Sequence, residues 1–500
     1  MNRNVTRSGN KHSLKQLKQF TKCSRSMMPS QQEINVLAEL FAQKRYAEAE
    51  ESALKITANY PGHGIGWKAL GTALKLQGKN AEALQAFQKA VTLMPDDAEA
   101  HKNLAITLKD MGRLVEAETS FCNAIKARPE YAEPYYESGI LFQALNRDDE
   151  AEARYRHAIR LKPDYADAHN NLGAVLWNMG RLAEAEAVCK QALQTKPEFA
   201  EAYNNLGNIY SSSGRTGEAI ACYTKAMTLR PHWALLYFNL HPLLLNGDNI
   251  TAAIQCLTKA VSLEPSNPEY RFSLGMILDY TGNPEVAAGH FEMVKKSTEL
   301  CRARLDAWHY IKSARTQPLH ITGYALQTFK LGIENAAIEG LVLEFGVRFG
   351  ASIRQIAALA EQEVHGFDSF EGLPEQWHHE PQGIYSTKGK LPEVPDSVTL
   401  HVGWFEDTIP AFIQKHSGPI RFMNIDCDIY SSTKTIFDLF SDRIIPGTVI
   451  VFDEYIGNAH WREDEFKAFQ EAVAKYGWSY EYLAFSFFTK QVLVKITQAT

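Results

Sequence analysis

Pro61, Pro95, Pro129, Pro163, Pro197, Pro231 and Pro265 each stand 34 residues from the next. A constant interval of that length means that one supersecondary unit is written repeatedly along the chain. The apolar positions recur with it. Trp67-x-x-Leu70-Gly71 is followed by Ala83, Phe87, Ala90 and Pro95, and Tyr203-x-x-Leu206-Gly207-x-x-Tyr210 by Ala219, Tyr223, Ala226 and Pro231. Each unit reads as two helices that turn near Gly78, Gly112, Asn146, Gly180 or Gly214, with the proline ending the second helix. Small residues (Gly71, Gly139, Gly173 and Gly207; Ala83, Ala117, Ala151 and Ala185) fall where the paired helices must approach closely. One such pair cannot bury its apolar face alone, so neighbouring pairs stack into an α-solenoid.

This pattern resembles the tetratricopeptide repeat (TPR) family, over residues 30–297 and about eight repeats. The first unit, 30–63, lacks the Trp/Leu/Gly set and reads as a cap. The last units are degraded: His241 stands where glycine is usual, Pro242 should kink its helix, and the unit from Pro268 to Val294 lacks a terminal proline. On the inner face, Asn103, Asn171, Asn205 and Asn239 share one repeat position, with Ala69 and Glu137 interrupting. An amide donates and accepts, so such a ladder can hold an extended backbone of a protein or peptide partner. The series resembles the asparagine ladder of O-linked N-acetylglucosamine transferases. The alternative is that each amide merely contacts the next helix.

Five hundred residues with a formal net charge of −6 give no reason to expect a nucleic-acid partner, and no apolar run is long enough to span a membrane. Seven cysteines without paired spacing suit a reducing compartment, and four of them (Cys122, Cys189, Cys222, Cys256) fall at buried repeat positions. A cytoplasmic location follows as the expectation. Residues 1–29 are basic and read as a disordered tail, an organelle transit segment being the alternative.

Residues 298–340 read as a helical connector that caps the next domain, with helices at 305–314 and 324–337 around Pro318. From 341 to 500 the period changes to short apolar runs separated by helices, which predicts βαβ units. Strands are expected at 341–345, 364–368, 398–402, 420–426 and 447–452, then a hairpin at 479–485 and 491–496. The predicted fold is therefore α plus α/β: an α-solenoid followed by a doubly wound, seven-stranded Rossmann-like sheet.

The first strand ends in Glu344, and Gly346 and Gly350 follow in a tight turn before a helix. Ligands bind beside such turns. The pattern Glu-x-Gly-x-x-x-Gly puts an acid where a dinucleotide site has glycine. That acid repels a pyrophosphate and suits a ligand carrying an ammonium and a sulfonium, as S-adenosylmethionine does. Gly346 would let the backbone approach the ligand, and Gly350 would let the helix pack closely. The second strand ends in Asp368, an acid placed to accept both ribose hydroxyls.

The segment Ser369-Phe370-Glu371-Gly372-Leu373-Pro374, together with Leu343-Glu344-Phe345-Gly346-Val347 and Gly403-Trp404-Phe405-Glu406-Asp407, resembles the macrocin-type (TylF-like) sugar O-methyltransferases over roughly residues 320–496. The resemblance implies a class I methyltransferase domain with its last strand antiparallel. It also implies a cofactor pocket that includes Ser369, Phe370, Gly403 and Trp404.

Asp426 ends the fourth strand, and Asp453-Glu454 ends the fifth. Converging carboxylates repel unless a cation or proton intervenes, and all-oxygen ligation fits Mg²⁺. The resemblance implies the same metal site, though this chain has Glu454 where relatives carry a second aspartate. In the alternative reading Asp426 orders loop amides, Asp428 caps the next helix, and no metal binds. Asp426, or else His460, is the expected base for a substrate hydroxyl. His378-His379-Glu380 suggests a second metal, but neighbouring histidines point apart in extended chain, so 375–397 reads better as a substrate lid.

The leading expectation is O-methyl transfer to a sugar, glycosylated or other small-molecule acceptor, with the repeats recruiting a partner. The alternatives are an interaction scaffold with an inactive domain, or a methyltransferase directed at protein.

Overall fold

The computed structural model describes residues 28–245, 250–314 and 319–499. All but the last two residues of the predicted basic tail, and Pro318 in the connector, lie outside them. The chain divides into two compact units, Met1–Val175 and Leu176–Thr500.

The first unit is made of helical hairpins. Ser30 opens its first helix, Gln31–Ala42, with a capping box closed by Glu33. The pairs Gly64–Leu76 with Asn80–Leu93, Ala98–Asp110 with Leu114–Ala127, and Ala132–Ala144 with Asp148–Leu161 follow. The predicted turn residues Gly78, Gly112 and Asn146 all take left-handed φ, at 79°, 75° and 56°. Only a residue tolerant of that region ends a helix so sharply.

The small residues do what their spacing implied. A Cβ on Gly71 would lie 2.7 Å from the Phe87 ring, and one on Gly139 would lie 2.6 Å from the Tyr155 ring. Each glycine is the socket for an aromatic ring of the facing helix. Burying each ring contributes about 1.5–3 kcal/mol.

The second unit continues the hairpins through Leu182–Thr195, Ala200–Ser212 and Thr216–Leu229. The socket rule holds for Gly207 under Tyr223 and Gly275 under Phe291. At His241 it changes. The helix Ala234–Leu240 gives way to a 3₁₀ turn, His241–Leu244, as Pro242 predicted. His241 is wholly buried and meets Phe488 edge-on at 4.4 Å, and the Pro242 carbonyl fills the space a Cβ on Gly323 would need. Gln327 donates to the Leu245 carbonyl over 2.9 Å. The degraded repeat is thus shaped to receive the domain that follows it. A single hydrophobic core runs from Leu257, Phe272 and Phe291 through Trp308 to Phe345, Phe367 and Phe452 of the sheet.

The sheet has eight strands: β1 (His320–Ile321), β2 (Leu341–Phe345), β3 (Val364–Asp368), β4 (Val398–Val402), β5 (Ile420–Ile425), β6 (Val449–Phe452), β7 (Ser479–Phe485) and β8 (Val492–Gln498). Their order is β1-β7-β8-β6-β5-β2-β3-β4, with β8 antiparallel to both neighbours. The seven predicted strands are present, and β1 adds an edge strand beside β7. Two residues are too few to show any hydrophobic period, so β1 left no sequence signal. The chain reverses direction across the sheet at β2, which lies between β3 and β5. The crevice above that point is where an open α/β sheet binds ligands.

Candidate active site

A cleft of about 730 Å³ opens at the carboxyl ends of β2, β3, β5 and β6. Its size suits a small-molecule site. Gly346, Asp368, Ser369, Gly403 and Trp404 line one side, and Asp426, Asp453 and Glu454 line the other.

The cofactor side is built by backbone geometry. Gly346 has φ 90°, and a Cβ there would fall 1.7 Å from the Asp426 carbonyl oxygen. Glycine is demanded here by the neighbouring strand end. Gly350 has φ 74° and starts the helix Ala351–Ala360. Asp368 Oδ2 accepts from the amides of Val347 and Arg348 at 2.8 and 2.7 Å, and Oδ1 accepts from Phe370 N at 2.6 Å. Its carboxylate therefore fixes the glycine loop to the end of β3. Four lone-pair sites leave it acceptor capacity facing the cleft. Gly403, at φ 139°, donates its amide to the Asp368 carbonyl, which carries Trp404 to the wall.

Three predicted cofactor residues do not line the cleft: Gly350, at the start of its helix, Glu344 and Phe370. Glu344 is fully buried beneath the loop, where its Oε1 accepts from Asn424 Nδ2 at 2.9 Å and its Oε2 has no partner. Burial pushes its carboxyl up to about 8, which favours the neutral form, and its side chain is not among those that line the cleft. Phe370 is buried in the core on the other face of the sheet, at φ 60°, so its ring supports the wall from behind.

On the second side, β5 and β6 pair in register through Ile425 and Phe452. Asp426 and Asp453 come next on each strand, and Asp453 N donates to the Ile425 carbonyl at 2.9 Å. Burial, then the charge of Asp453, drives the Asp426 carboxyl well above the usual range. Burial and Glu454 push both Asp428 and Asp453 to about 7. Glu465 rises for the same reasons, and its Oε2 accepts the Glu454 amide. These acids crowd one another, and their protons are what a bound cation would displace.

The three predicted metal ligands line one cleft, and two of them have protein partners. Glu454 Oε1 is held by Lys490 Nζ at 2.6 Å, while Gln491 donates to Asp453 Oδ1 at 2.8 Å. Asp426 and Asp453 remain as oxygen donors on the cleft, and two carboxylates with substrate and water suffice for Mg²⁺. The residues fit a hard cation in that reduced form. Lys490, Gln491, Glu465 and Arg348 were not singled out from sequence. The first two lie in the turn between β7 and β8, far along the chain from the residues they hold.

His460 does not line the cleft; its ring stacks on His378 with centroids 4.0 Å apart. Trp461 is buried against Tyr310 and Phe466. The 375–397 segment is anchored at several points: Trp377 and Glu380 form a backbone bridge, Trp377 Nε1 donates to Asp464, and Ser431 donates to Glu375. Tyr385 of this segment lines the cleft beneath the Arg348 guanidinium.

In the repeats, the ladder amides make internal bonds. Asn171 donates to the Tyr136 hydroxyl at 3.3 Å, Asn239 donates to Asn204 and Asn208, and Asn205 accepts from Asn204. Asn103 is half-buried, and its backbone carbonyl, not its side chain, accepts from the Thr107 hydroxyl.

A family profile described as a methyltransferase domain matches residues 343–455. Profiles described as tetratricopeptide repeat and TPR repeat match residues 164–232, and 71–112 with 141–180. A curated relative from Streptomyces olivaceus, 8-demethyl-8-(2,3-dimethoxy-alpha-L-rhamnosyl)-tetracenomycin-C 4'-O-methyltransferase, is 29% identical over 143 residues, which are 24% of this chain and 54% of the relative. The chain thus spans about half the length of that relative. Among solved structures, a thermophilic TPR protein from Thermus thermophilus is 28% identical, covering 37% of this chain and 100% of its own, with TM-score 0.32. A tetratricopeptide repeat protein from Parabacteroides merdae is 20% identical, covering 49% and 98%, with TM-score 0.41.

Proposed function

We propose that this chain, which joins tetratricopeptide repeats to a methyltransferase domain, transfers a methyl group from S-adenosylmethionine to a hydroxyl of a sugar or glycosylated acceptor. The observation that carries the reading is the two-sided cleft: a glycine loop tied to Asp368 on one side, paired carboxylates on the other. The 4'-O-methyltransferase named above supports an oxygen acceptor on a sugar.

S-adenosylmethionine, when bound, supplies a methyl group on a sulfonium centre. Asp368 receives a ribose hydroxyl with its remaining lone pair, and Trp404 and Phe405 exclude water from the adenine side. Asp426 takes the acceptor's hydroxyl proton once positive charge offsets its acidic neighbours. Asp426 and Asp453 are the residues that would hold Mg²⁺, whose chemistry is to make a bound hydroxyl more acidic. Holding the acceptor oxygen in line with the methyl contributes much of the remaining rate. The repeats recruit a protein partner or present the acceptor. No helix among the described residues is long and apolar enough to cross a membrane. A cytoplasmic location is part of the proposal, and it rests on the free thiols among the described residues.

Calorimetric titration of the full chain with S-adenosylmethionine tests the reading. One site per chain, weakened at least tenfold by Asp368→Asn, is expected. Absence of binding to folded protein would leave the repeat scaffold with an inactive domain as the better account, a reading that the Lys490–Glu454 pair favours.

A further inference from the structure

His378, His460 and Glu463 each present a ligand atom within 4.8 Å of the other two, the one such group of three among the described residues. We propose that they bind a transition-metal ion of the zinc type, separate from the cleft carboxylates, which fastens the 375–397 segment to the loop after β6. The proposal does not depend on the methyl-transfer reading.

The chemistry of the donors sets the class of ion. Two imidazoles and one carboxylate suit Zn²⁺, Co²⁺ or Ni²⁺ better than Mg²⁺, which prefers oxygen alone. Three protein ligands leave a fourth position for water.

The surroundings are those of a ligand histidine. His378 Nε2 lies 3.0 Å from Asp464 Oδ2, and the same oxygen accepts from Trp377 Nε1 at 3.0 Å. Asp464 is itself buried, at 6% exposure. A carboxylate that accepts the hydrogen bond from Nε2–H fixes the tautomer and leaves the Nδ1 lone pair for an ion, the usual outer-shell arrangement of a metal-bound histidine. The backbone is held as well: His378 has φ 49°, a left-handed conformation rare for a side-chain-bearing residue, inside the turn closed by Trp377 and Glu380.

His460 and Glu463 belong to one turn, in which Glu463 N donates to the His460 carbonyl at 2.8 Å and His460 Nδ1 lies 3.8 Å from Glu463 Oε1. The imidazoles are partly exposed and the glutamate is exposed, so an ion reaches them from solvent. Ligand bonds of about 2.1 Å require the donors to close to roughly 3.3 Å, so the His460 ring, now stacked on His378 at 4.0 Å, must turn out of that parallel contact and the long Glu463 side chain swing in, while Asp464 holds His378.

The consequence is positional. Glu375 and Tyr385 line the cleft from one of these segments, and Glu454 lines it from the approach to the other. One ion would therefore set the width of the cleft mouth. As a ligand, His460 is no longer available as a base.

The test is titration of the chelator-stripped full chain with Zn²⁺ alone, followed by Co²⁺ with its visible absorption as the ligand-sensitive signal. One Zn²⁺ per chain is expected. His378→Ala/His460→Ala should abolish it, and Asp464→Asn should weaken it about 10–100-fold. Asp453→Asn should leave it intact. Far-ultraviolet circular dichroism checks that each variant is folded, and single His378→Gln and His460→Gln variants give the same reading if the double variant is not. Zn²⁺ binding that survives loss of both histidines, binding lost in Asp453→Asn instead, or no stoichiometric binding to the parent chain each overturns the proposal.

Discussion

Lys490 reaches from the hairpin turn between β7 and β8 to hold the Glu454 carboxylate at 2.6 Å. The ammonium occupies, on the rim of the cleft, the electrostatic role that a metal's third acid would otherwise leave to the ion. Lys490→Met removes the charge and leaves a carboxylate that is only 11% exposed without compensation. The expected loss is about 1–3 kcal/mol. Millimolar Mg²⁺ should recover more of the melting temperature in this variant than in the parent, as read by calorimetric scans with and without the ion.

At Gly346 the argument is steric. An alanine there would place its Cβ 1.7 Å from the Asp426 carbonyl at a φ of 90°. The ends of β2 and β5 must then part. Gly346→Ala should cost about 3 kcal/mol or more in urea unfolding and lower S-adenosylmethionine affinity more than tenfold.

Glu344 gives a pH dependence. Its carboxyl is raised by burial from 4.5 to about 8, so between those values the folded chain binds a proton that the unfolded chain releases. Stability therefore falls as pH rises through that window. Glu344→Gln keeps a neutral side chain at every pH. Melting temperatures measured from pH 5 to 9 should fall less steeply in the variant than in the parent, the gap opening between pH 5 and about 8 and levelling off above it.

The repeat sockets make a separable prediction. Gly139→Ala drives a Cβ to 2.6 Å from Tyr155 and should destabilise the first unit by about 1–3 kcal/mol. Replacing Tyr155 by Leu in the same chain should return part of that loss, because the smaller side chain frees the space. Thermal melts of the four members of this double-mutant cycle decide it.

What could be read ahead of the structure was whatever repeats or alternates. The proline interval fixed the hairpins, and the left-handed turns at Gly78, Gly112 and Asn146 fell where the pattern broke. Short apolar runs marked the strands of the parallel sheet, since both faces are covered and little polar alternation interrupts them. That Asp368, Asp426 and Asp453 would border one cleft was legible for the same reason: the ends of parallel strands meet at one edge of such a sheet.

What stayed hidden depends on side-chain direction and on loops meeting across the fold. Glu344 looked like a ligand contact, yet its position in β2 turns it toward Asn424. Nothing in the run His378-His379-Glu380 announces that the first histidine would stack on His460. Neither residue has a periodic neighbour, and a tight turn, not an extended strand, sets the direction of His378.

The contact of His241 with Phe488 has a practical meaning for how such a protein can be rebuilt. A repeat array is usually a portable cassette, exchanged at the boundary its period marks. Here the last repeats have surrendered that portability. A graft of regular repeats would put a glycine helix where the 3₁₀ turn now fits against Gly323, and the join would clash on one side and gape on the other. The separable piece of this chain is the sheet together with the irregular repeats that seat it, and changes at His241 and Phe488 must travel together.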